Sequence, residues 1–368
     1  MNKSLKVMIG GGGTGGHIFP ALAIANEIKA QRPTAEFLFV GAEGRMEMTR
    51  VPEAGYKIVG LPIAGLQRSF SAVNLALPFK VFRSVQKAIG LVNEFKPDVA
   101  IGVGGYASAP LLIAAGLKGI PYLIQEQNSY AGLTNKLLAR SAKSICVAFQ
   151  DMDEYFPKRK IQLTGNPVRT DLLHTHLSQY EAAAHLGLQP GMKTILVVGG
   201  SLGAKTINES VANSLNDWKN EGFQLVWQTG TAYADKAKNL VKEANYAGFV
   251  TMPFIQQMNY AYAAADVVVS RAGALSLAEI CMTGKASILI PSPNVAEDHQ
   301  TKNANTLVEQ NAALMLSDSE AQQKLGAMSI QLLHNHTQID LLGMAAYALA
   351  KPEATKTIVK QVFRISNA

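Results

Sequence analysis

The feature that most constrains this chain is a pattern that occurs twice: a short apolar run, a glycine cluster, then a segment with helical periodicity. In the first copy Lys6, Val7, Met8 and Ile9 lead into GGGGTGGHIFP at residues 10–20, after which Ile18, Leu22, Ala25 and Ile28 recur at helical spacing. In the second, residues 194–198 lead into Gly199, Gly200, Ser201, Leu202 and Gly203 and on into a helix through Asn208. Thr14 and Ser201 hold matching places, as do Gly16 and Gly203. A strand that turns sharply into a helix needs positive φ and room for a ligand against the backbone, which glycine supplies. The N–H groups and positive dipole end of the helix then face an anion or a developing oxyanion. Gly11, Gly13 and Gly16 satisfy the G-x-G-x-x-G fingerprint, which alone also fits a packing turn with no ligand. Two such turns opening two α/β halves predict two similar domains facing each other across a cleft, with ligands at the carboxyl ends of parallel strands. His17, at the start of the first helix, points near whatever that turn binds; the plainer alternative is a ring that only caps or packs.

Length supports the division, since 368 residues are long for one core and 48% hydrophobic content is ample for two. The first strand starts almost at once and meets glycines, so no export signal is expected. Residues 99–117 carry no charge, but Gly102, Gly104, Gly105, Pro110 and Gly116 interrupt them, so a buried strand, glycine loop and core helix are expected there, not a membrane span. Cys146 and Cys281 are the only cysteines and read as reduced core residues. A net charge of +7 suits an acidic partner: phosphates, an anionic membrane face or nucleic acid. No Lys/Arg tract interleaved with stacking aromatics occurs, so nucleic acid is not expected.

Taken in order, β-rich runs at 36–40, 56–59, 98–103, 122–125, 144–147 and 161–164 alternate with helical patterns, which predicts a doubly wound parallel sheet. Residues 75–92 stand out. Lys80, Arg83 and Lys87 share one helical face, while Leu75, Leu77, Phe79, Val81, Phe82, Val85 and Ile89 supply apolar surface. That is the pattern of a helix lying on an anionic bilayer, or of a core helix with a solvated basic edge. Gly165, Asn166 and Pro167 break the alternation and mark a domain boundary. Residues 171–190 have helix potential; further strands are expected at 223–227, 249–251, 267–270, 286–290 and 313–316. Pro352 opens a last helix with Ile358, Val359, Val362 and Phe363 on one face, able to cross back onto the first domain.

A third strand-to-helix turn, SRAGALSLAE at 270–279, brings small residues to a ligand through Gly273 and sets Glu279 where a carboxylate can accept both ribose hydroxyls; a surface glutamate is its alternative. Residues 291–304, PSPNVAEDHQTKNA, cluster amides that suit sugar hydroxyls, or simply lead to a helix cap. Arg169 can hold a phosphate bidentately or form a domain-edge salt bridge. Asp151 and Asp153 make a D-x-D in a polar segment, a weak metal signal. His174 with His176, and His334 with His336, are spaced so that a helix would not put them on one face.

Several motifs occur together and in order: GGTGGHIFPALA at 12–23, GGY at 104–106, EQN at 126–128, AGLTNK at 131–136, GNPVR at 165–169, GGS at 199–201, SRAGALSLAE and DHQTKNA at 298–304. Along essentially the whole chain they resemble the MurG family of N-acetylglucosaminyltransferases of peptidoglycan synthesis. Around Asp151, Met and Asp depart from the small and apolar residues of that pattern. The resemblance implies a GT-B fold: an acceptor- and membrane-facing domain at 1–166, completed by a helix at about 352–368, and a UDP-sugar-binding domain at 167–351. It implies inverting transfer of N-acetylglucosamine from UDP-N-acetylglucosamine to undecaprenyl-linked lipid I, giving lipid II, at the cytoplasmic face of the inner membrane. No cofactor and no tightly held metal are implied. Carried over by motif, the donor site falls on Thr14, Gly15, Gly16, Asn128, Arg169, Ser201, Ile255, Ala274, Leu275, Ser276, Leu277, Ala278, Glu279 and Gln300. Ile255 would meet uracil through its backbone and Glu279 the ribose. His17 is the first candidate for the base and Glu126 the second. Leu75, Phe79, Lys80, Phe82 and Arg83 would touch an anionic membrane. Other readings of the residues are a UDP-N-acetylglucosamine epimerase on the same fold, an NAD(P)-dependent oxidoreductase, and a non-catalytic nucleotide sensor.

Overall fold

The computed structural model describes residues 4–63, 77–173, 177–295 and 298–366. The chain forms two compact units, Met1–Arg169 with Glu353–Ala368, and Thr170–Pro352. The first is built on seven parallel strands: β1 (Lys6–Gly10), β2 (Glu36–Ala42), β3 (Ile58–Leu61), β4 (Val99–Gly102), β5 (Tyr122–Glu126), β6 (Ser144–Val147) and β7 (Ile161–Leu163), ordered β3-β2-β1-β4-β5-β6-β7. Val7 pairs with Phe37 on one side and Val99 on the other. Between the strands run α1 (Gly15–Gln31), α2 (Glu47–Glu53), α3 (Leu77–Phe95), α4 (Ser108–Leu117) and α5 (Leu133–Leu138).

Alternation along a strand sends neighbours to opposite faces, so a strand covered on both sides reads as an unbroken apolar run. Val7 and Ile9 pack with Ile18, Ile24 and Ile28 of α1. Met8, between them, packs on the other face with Ala88 and Val92 of α3 and Leu111 of α4.

The second unit repeats the plan with β8 (Thr194–Val198), β9 (Gln224–Gln228), β10 (Phe249–Met252), β11 (Val267–Ser270), β12 (Ala286–Leu289) and β13 (Leu314–Met315) in the order β10-β9-β8-β11-β12-β13. Its helices are α6 (Thr170–Leu173), α7 (Gln179–His185), α8 (Lys205–Asn220), α9 (Ala234–Ala244), α10 (Met258–Ala264), α11 (Ala274–Thr283), α12 (His299–Val308), α13 (Ala321–His334) and α14 (His336–Ala348). Ile195 and Val197 face a core with Trp218 and Trp227, whereas Leu196 and Val198 face Tyr262, Leu277 and Ile280. Each buried indole N–H is satisfied, Trp218 by Ser329 at 2.8 Å and Trp227 by Asn208 at 2.9 Å. In both sheets the strand order reverses beside the first strand of the unit, and ligands of doubly wound sheets bind at that point. The α/β class with two doubly wound parallel sheets is the fold observed.

Some element edges differ from the sequence expectation. The third strand starts at Ile58, not Tyr56, because the Tyr56 N–H still donates to the Val51 carbonyl of α2, while its ring packs edge-on against Phe37. The strand expected from Phe223 starts at Gln224, because the Phe223 N–H still donates to the Trp218 carbonyl at the end of α8. The polar stretch after the boundary holds two short helices; the second opens with a capping box between Ser178 and Glu181.

The first unit extends to Arg169, beyond the glycine break, because Asn166 is tied into it. Asn166 accepts from Gln125 at 3.1 Å and donates to the Gln127 carbonyl at 2.9 Å. The last helix, α15 (Ala354–Ser366), buries Ile358, Val359 and Val362 in the core of the first unit, with Ile18 and Ile24. Cys146 and Cys281 are free thiols, each pushed by burial up to about 12.

Candidate active site

In the first unit the turn after β1 is held from three sides. The Gly11 N–H donates to the Val40 carbonyl at 3.2 Å. The Gly13 N–H donates to Glu47 Oε2 at 2.8 Å, and Glu47 Oε1 accepts from the Ala42 N–H at 2.9 Å. From the third side comes the segment after β4: Gly105 (φ +80°) lies so close that a Cβ there would stand 2.3 Å from the Gly12 carbonyl oxygen. A Cβ on Gly104 would stand 2.7 Å from the His17 ring. The GGY stretch is therefore glycine because it is pressed onto the turn and its histidine.

Thr14 precedes α1 in extended conformation, Gly15 is buried and Gly16 exposed. Their N–H groups fall where a helix has no internal partner for them. His17 Nδ1 lies 3.0 Å from the Gly12 carbonyl oxygen, which can only accept. Nδ1 therefore carries the proton, and the lone pair of the neutral ring is on Nε2.

Glu126 is the second candidate for the base. It is buried at the end of β5 and both its oxygens are engaged. Oε2 accepts from Gly132 N–H at 3.0 Å and Asn135 at 2.8 Å, while Oε1 accepts from the Asn128 N–H at 3.2 Å. It orders the 126–135 loop and so sets Asn128 in place. The Arg169 guanidinium lies 4.9 Å from the ring of Phe19, two residues beyond His17 on α1. A buried amide network that sequence reasoning missed, Gln125–Gln127–Asn166, fixes this floor, with Gln127 donating to the Val103 carbonyl at 2.7 Å.

In the second unit Gly203 (φ +79°) passes so close to β9 that a Cβ would meet the Thr229 carbonyl oxygen at 2.2 Å. Gln228, also missed, bridges two parts of this site: its amide donates to the Gly200 carbonyl at 3.0 Å and its Oε1 accepts from the Ile255 N–H at 3.0 Å. Ile255 therefore has its N–H already engaged, so a base meeting this backbone would use the carbonyl or exchange that bond. Ser201 sits in the turn, partly exposed.

Gly273 caps α11 in extended conformation, and Ala274, Leu275, Ser276 and Ala278 follow at its N-terminal end. Leu277 is packed into the core, so only its backbone can reach a ligand. Glu279 is 8% exposed and accepts from the Tyr262 hydroxyl at 3.1 Å. This excludes the surface-glutamate reading. Gln300 Oε1 accepts from the Ser292 N–H at 2.9 Å, which fixes the amide against the loop. Arg271 donates to the Ile290 and Pro291 carbonyls at 3.1 Å and pairs with Asp318, joining the ends of β11 and β12.

On α3, Phe79 and Phe82 are 64% and 58% exposed, and the Arg83 guanidinium lies 5.6 Å from the Phe79 ring. Lys80 is partly exposed. Ser84, Ala88 and Val92 form the buried side. Lys87 does not join the basic face as a lone charge, because it pairs with Glu43 at 3.1 Å. Leu75, His174 and His176 lie outside the described residues. Asp153 faces Lys158 at 3.9 Å, and among the described residues no group of three or more His, Cys, Asp or Glu side chains is placed to hold a metal. No described helix is long and apolar enough to cross a membrane.

Residues 7–147 match the glycosyltransferase family 28 N-terminal domain and residues 194–361 its C-terminal domain. A protein of Cytophaga hutchinsonii named UDP-N-acetylglucosamine–N-acetylmuramyl-(pentapeptide) pyrophosphoryl-undecaprenol N-acetylglucosamine transferase is 52% identical over 367 residues, 99% of this chain and 98% of its own. One of the same name from Bacteroides thetaiotaomicron is 50% identical over 370 residues, covering 100% of both. The crystal structure of Acinetobacter baumannii MurG superposes with a TM-score of 0.75 at 30% identity, covering 98% of this chain and 99% of that one. A UDP-N-acetylglucosamine 2-epimerase from Neisseria meningitidis, crystallised with UDP-GlcNAc, shares the fold with a TM-score of 0.69 at 13% identity, over 98% of this chain and 100% of its own.

Proposed function

The chain belongs to the MurG family within glycosyltransferase family 28, and from that membership we propose that it moves N-acetylglucosamine from UDP-N-acetylglucosamine to undecaprenyl-linked lipid I, giving lipid II for peptidoglycan. It is a hexosyltransferase of the GT-B class. The observation that carries the reading is the repetition of one glycine turn at the reversal point of both sheets, in a chain about half identical along its length to transferases of that name.

The second unit takes the donor. The turn at Gly199, Gly200, Ser201 and Gly203 and the start of α8 offer N–H groups and a positive dipole end to the diphosphate. Ile255 meets the uracil through its backbone. The Glu279 carboxylate accepts from the ribose hydroxyls, and its burial makes each such bond count for more than in water. Ala274, Leu275, Ser276, Leu277 and Ala278 through their backbone, with Gln300, orient the sugar and phosphates. On the first unit, Thr14, Gly15, Gly16, Asn128 and Arg169 are the positions that the family's motifs assign to the donor.

UDP departs with negative charge, and fixed N–H dipoles with the Arg169 guanidinium stabilise it without reorganising at the moment of transfer. His17 Nε2 takes the proton from the acceptor hydroxyl as that oxygen attacks the anomeric carbon from the face opposite UDP, which inverts the centre. A second carboxylic acid of the glycosidase kind is not needed, because a nucleotide diphosphate leaves without prior protonation. The exposed Phe79 and Phe82, with Lys80 and Arg83, suit a docking surface for the anionic cytoplasmic face of the inner membrane, where the lipid acceptor resides.

The test is incubation of the full chain with radiolabelled UDP-N-acetylglucosamine, with and without a soluble short-chain lipid I analogue. Release of UDP and an inverted disaccharide product only when the acceptor is present is the expected result. Isomerisation of the donor sugar with no acceptor would assign the chain to the epimerase reading instead. Nucleotide binding with no turnover on either would make it a sensor.

A further inference from the structure

Glu47 has no part in the reaction as described, yet it is only 1% exposed and lies directly beneath the first glycine turn. It heads α2, and both oxygens take backbone N–H groups, Oε2 from Gly13 at 2.8 Å and Oε1 from Ala42 at 2.9 Å. A buried carboxylate persists where such donors satisfy it. The chain leaves room for it and little more: a Cβ on Gly12 would stand 2.0 Å from Glu47 Oε1, and one on Gly41 2.5 Å from its Cγ.

The Gly13 N–H and the Gly12 carbonyl belong to one planar peptide unit. That carbonyl is the acceptor 3.0 Å from His17 Nδ1. A single amide therefore has a carboxylate on its N–H side and an imidazole on its C=O side. Drawing on the N–H shifts electron density to the oxygen and makes it a better acceptor, as in any chain of hydrogen bonds. Gly105 packs onto the same oxygen and keeps the amide from rotating.

We propose that Glu47 is a positioning residue for His17. Through the Gly12–Gly13 peptide it fixes the Nδ1–H tautomer, aims Nε2, and raises the proton affinity of the ring. The arrangement resembles the carboxylate–imidazole pair of a Ser-His-Asp triad with one peptide inserted. It rests on His17 acting as the base. Of the other charged groups on surrounding elements, Glu126 is held by Gly132 and Asn135, Arg50 pairs with Glu53, Glu43 with Lys87, Arg169 lies over Phe19, and Arg45 is exposed. Along α1, helix α15 presents the apolar Ile358, Val359 and Val362.

The experiment is NMR titration of the His17 ring in the full chain, comparing wild type with Glu47→Gln, alongside kcat and donor KM across pH on the soluble acceptor. Glutamine keeps the shape but offers one acceptor where two N–H groups converge. The expected result is a His17 titration lowered by about half a pH unit or more. The acid limb of the kcat profile should move down by the same shift, with a plateau reduced roughly 10-fold and donor KM changed less than about twofold. Glu47→Asp, which keeps the charge, should restore part of both. An unmoved His17 titration overturns the proposal even if kcat falls, because that is what a merely structural role gives. If Glu47→Gln does not fold, the wild-type ring decides: its nitrogen shifts should report the Nδ1–H tautomer, and a ring found as the Nε2–H tautomer overturns the proposal. His17→Ala with near-normal turnover would instead remove the base assignment, whatever the Glu47 variants do to the ring.

Discussion

Replacing Phe79 and Phe82 by serine removes the two largest exposed apolar groups of α3 while leaving its buried side, Ser84, Ala88 and Val92, untouched. The rings are 64% and 58% exposed. With about 200 Å² to a phenylalanine, that is roughly 240 Å² of apolar surface. Taken wholly out of water at ~25 cal/mol per Å² it would contribute about 6 kcal/mol. A helix lying in the headgroup region immerses about half of such a surface, so about 3 kcal/mol is the working figure, or somewhat over 100-fold in partitioning. The assay is flotation of the full chain with vesicles containing anionic phosphatidylglycerol, against neutral phosphatidylcholine vesicles. The double variant should lose binding by about that factor and keep its turnover on a soluble short-chain acceptor. Lys80→Gln with Arg83→Gln should cost roughly 1 kcal/mol per charge on anionic vesicles and nothing on neutral ones. A double Phe→Ser variant that floats within about threefold of wild type would refute the area argument and return α3 to a solvated helix edge.

Glu279→Ala should raise the donor KM roughly 10-fold or more, the worth of hydrogen bonds to a buried charge, with kcat changed less; an unchanged KM would remove the ribose role. His17→Ala should lower kcat by about 10²–10⁴ with little effect on UDP binding measured by calorimetry. Gly105→Ala combines a positive φ with a Cβ 2.3 Å from the Gly12 oxygen, so activity should fall sharply and the melting temperature should drop by several degrees. Cys146 and Cys281 should ignore a thiol reagent at pH 8 in the native protein and react once it is unfolded. Their thiols ionise in the unfolded chain near pH 9 but only near about 12 when folded, so their contribution to stability, complete below pH 9, should be lost as pH rises through that window in urea titrations.

What could be read from the chain alone was whatever is encoded locally. A strand, a glycine run and a helix-period segment are contiguous, so both turns, the third turn at Gly273 and the alternation that fixes the sheet class were legible. Element edges were less so: Tyr56 looks like a strand residue until its N–H is seen bonded to the Val51 carbonyl of the preceding helix. The buried polar groups were not legible at all. Gln228 acts on Ile255 and Gly200, Gln125 on Asn166, Arg271 on Asp318, and Glu47 on Gly13, each across a long stretch of sequence. The signal was present only as polar residues inside or beside apolar runs, as at Gln125 and Gln127 after Leu123 and Ile124. Glu126 shows the opposite limit: its motif suggests chemistry, and only the fold reveals that its carboxylate also orders a loop.

The last helix has a consequence for biosynthesis. Because Glu353–Ala368 belongs with the unit begun at Lys6, all of the second unit is translated before the piece that closes the core of the first. Until Ile358, Val359 and Val362 emerge, the side of α1 they cover stays greasy and open. A released chain truncated just past Pro352 should therefore hold one finished lobe and one that is prone to chaperone capture. Even a short deletion from the tail would act on the distant histidine turn by loosening the helix that carries it.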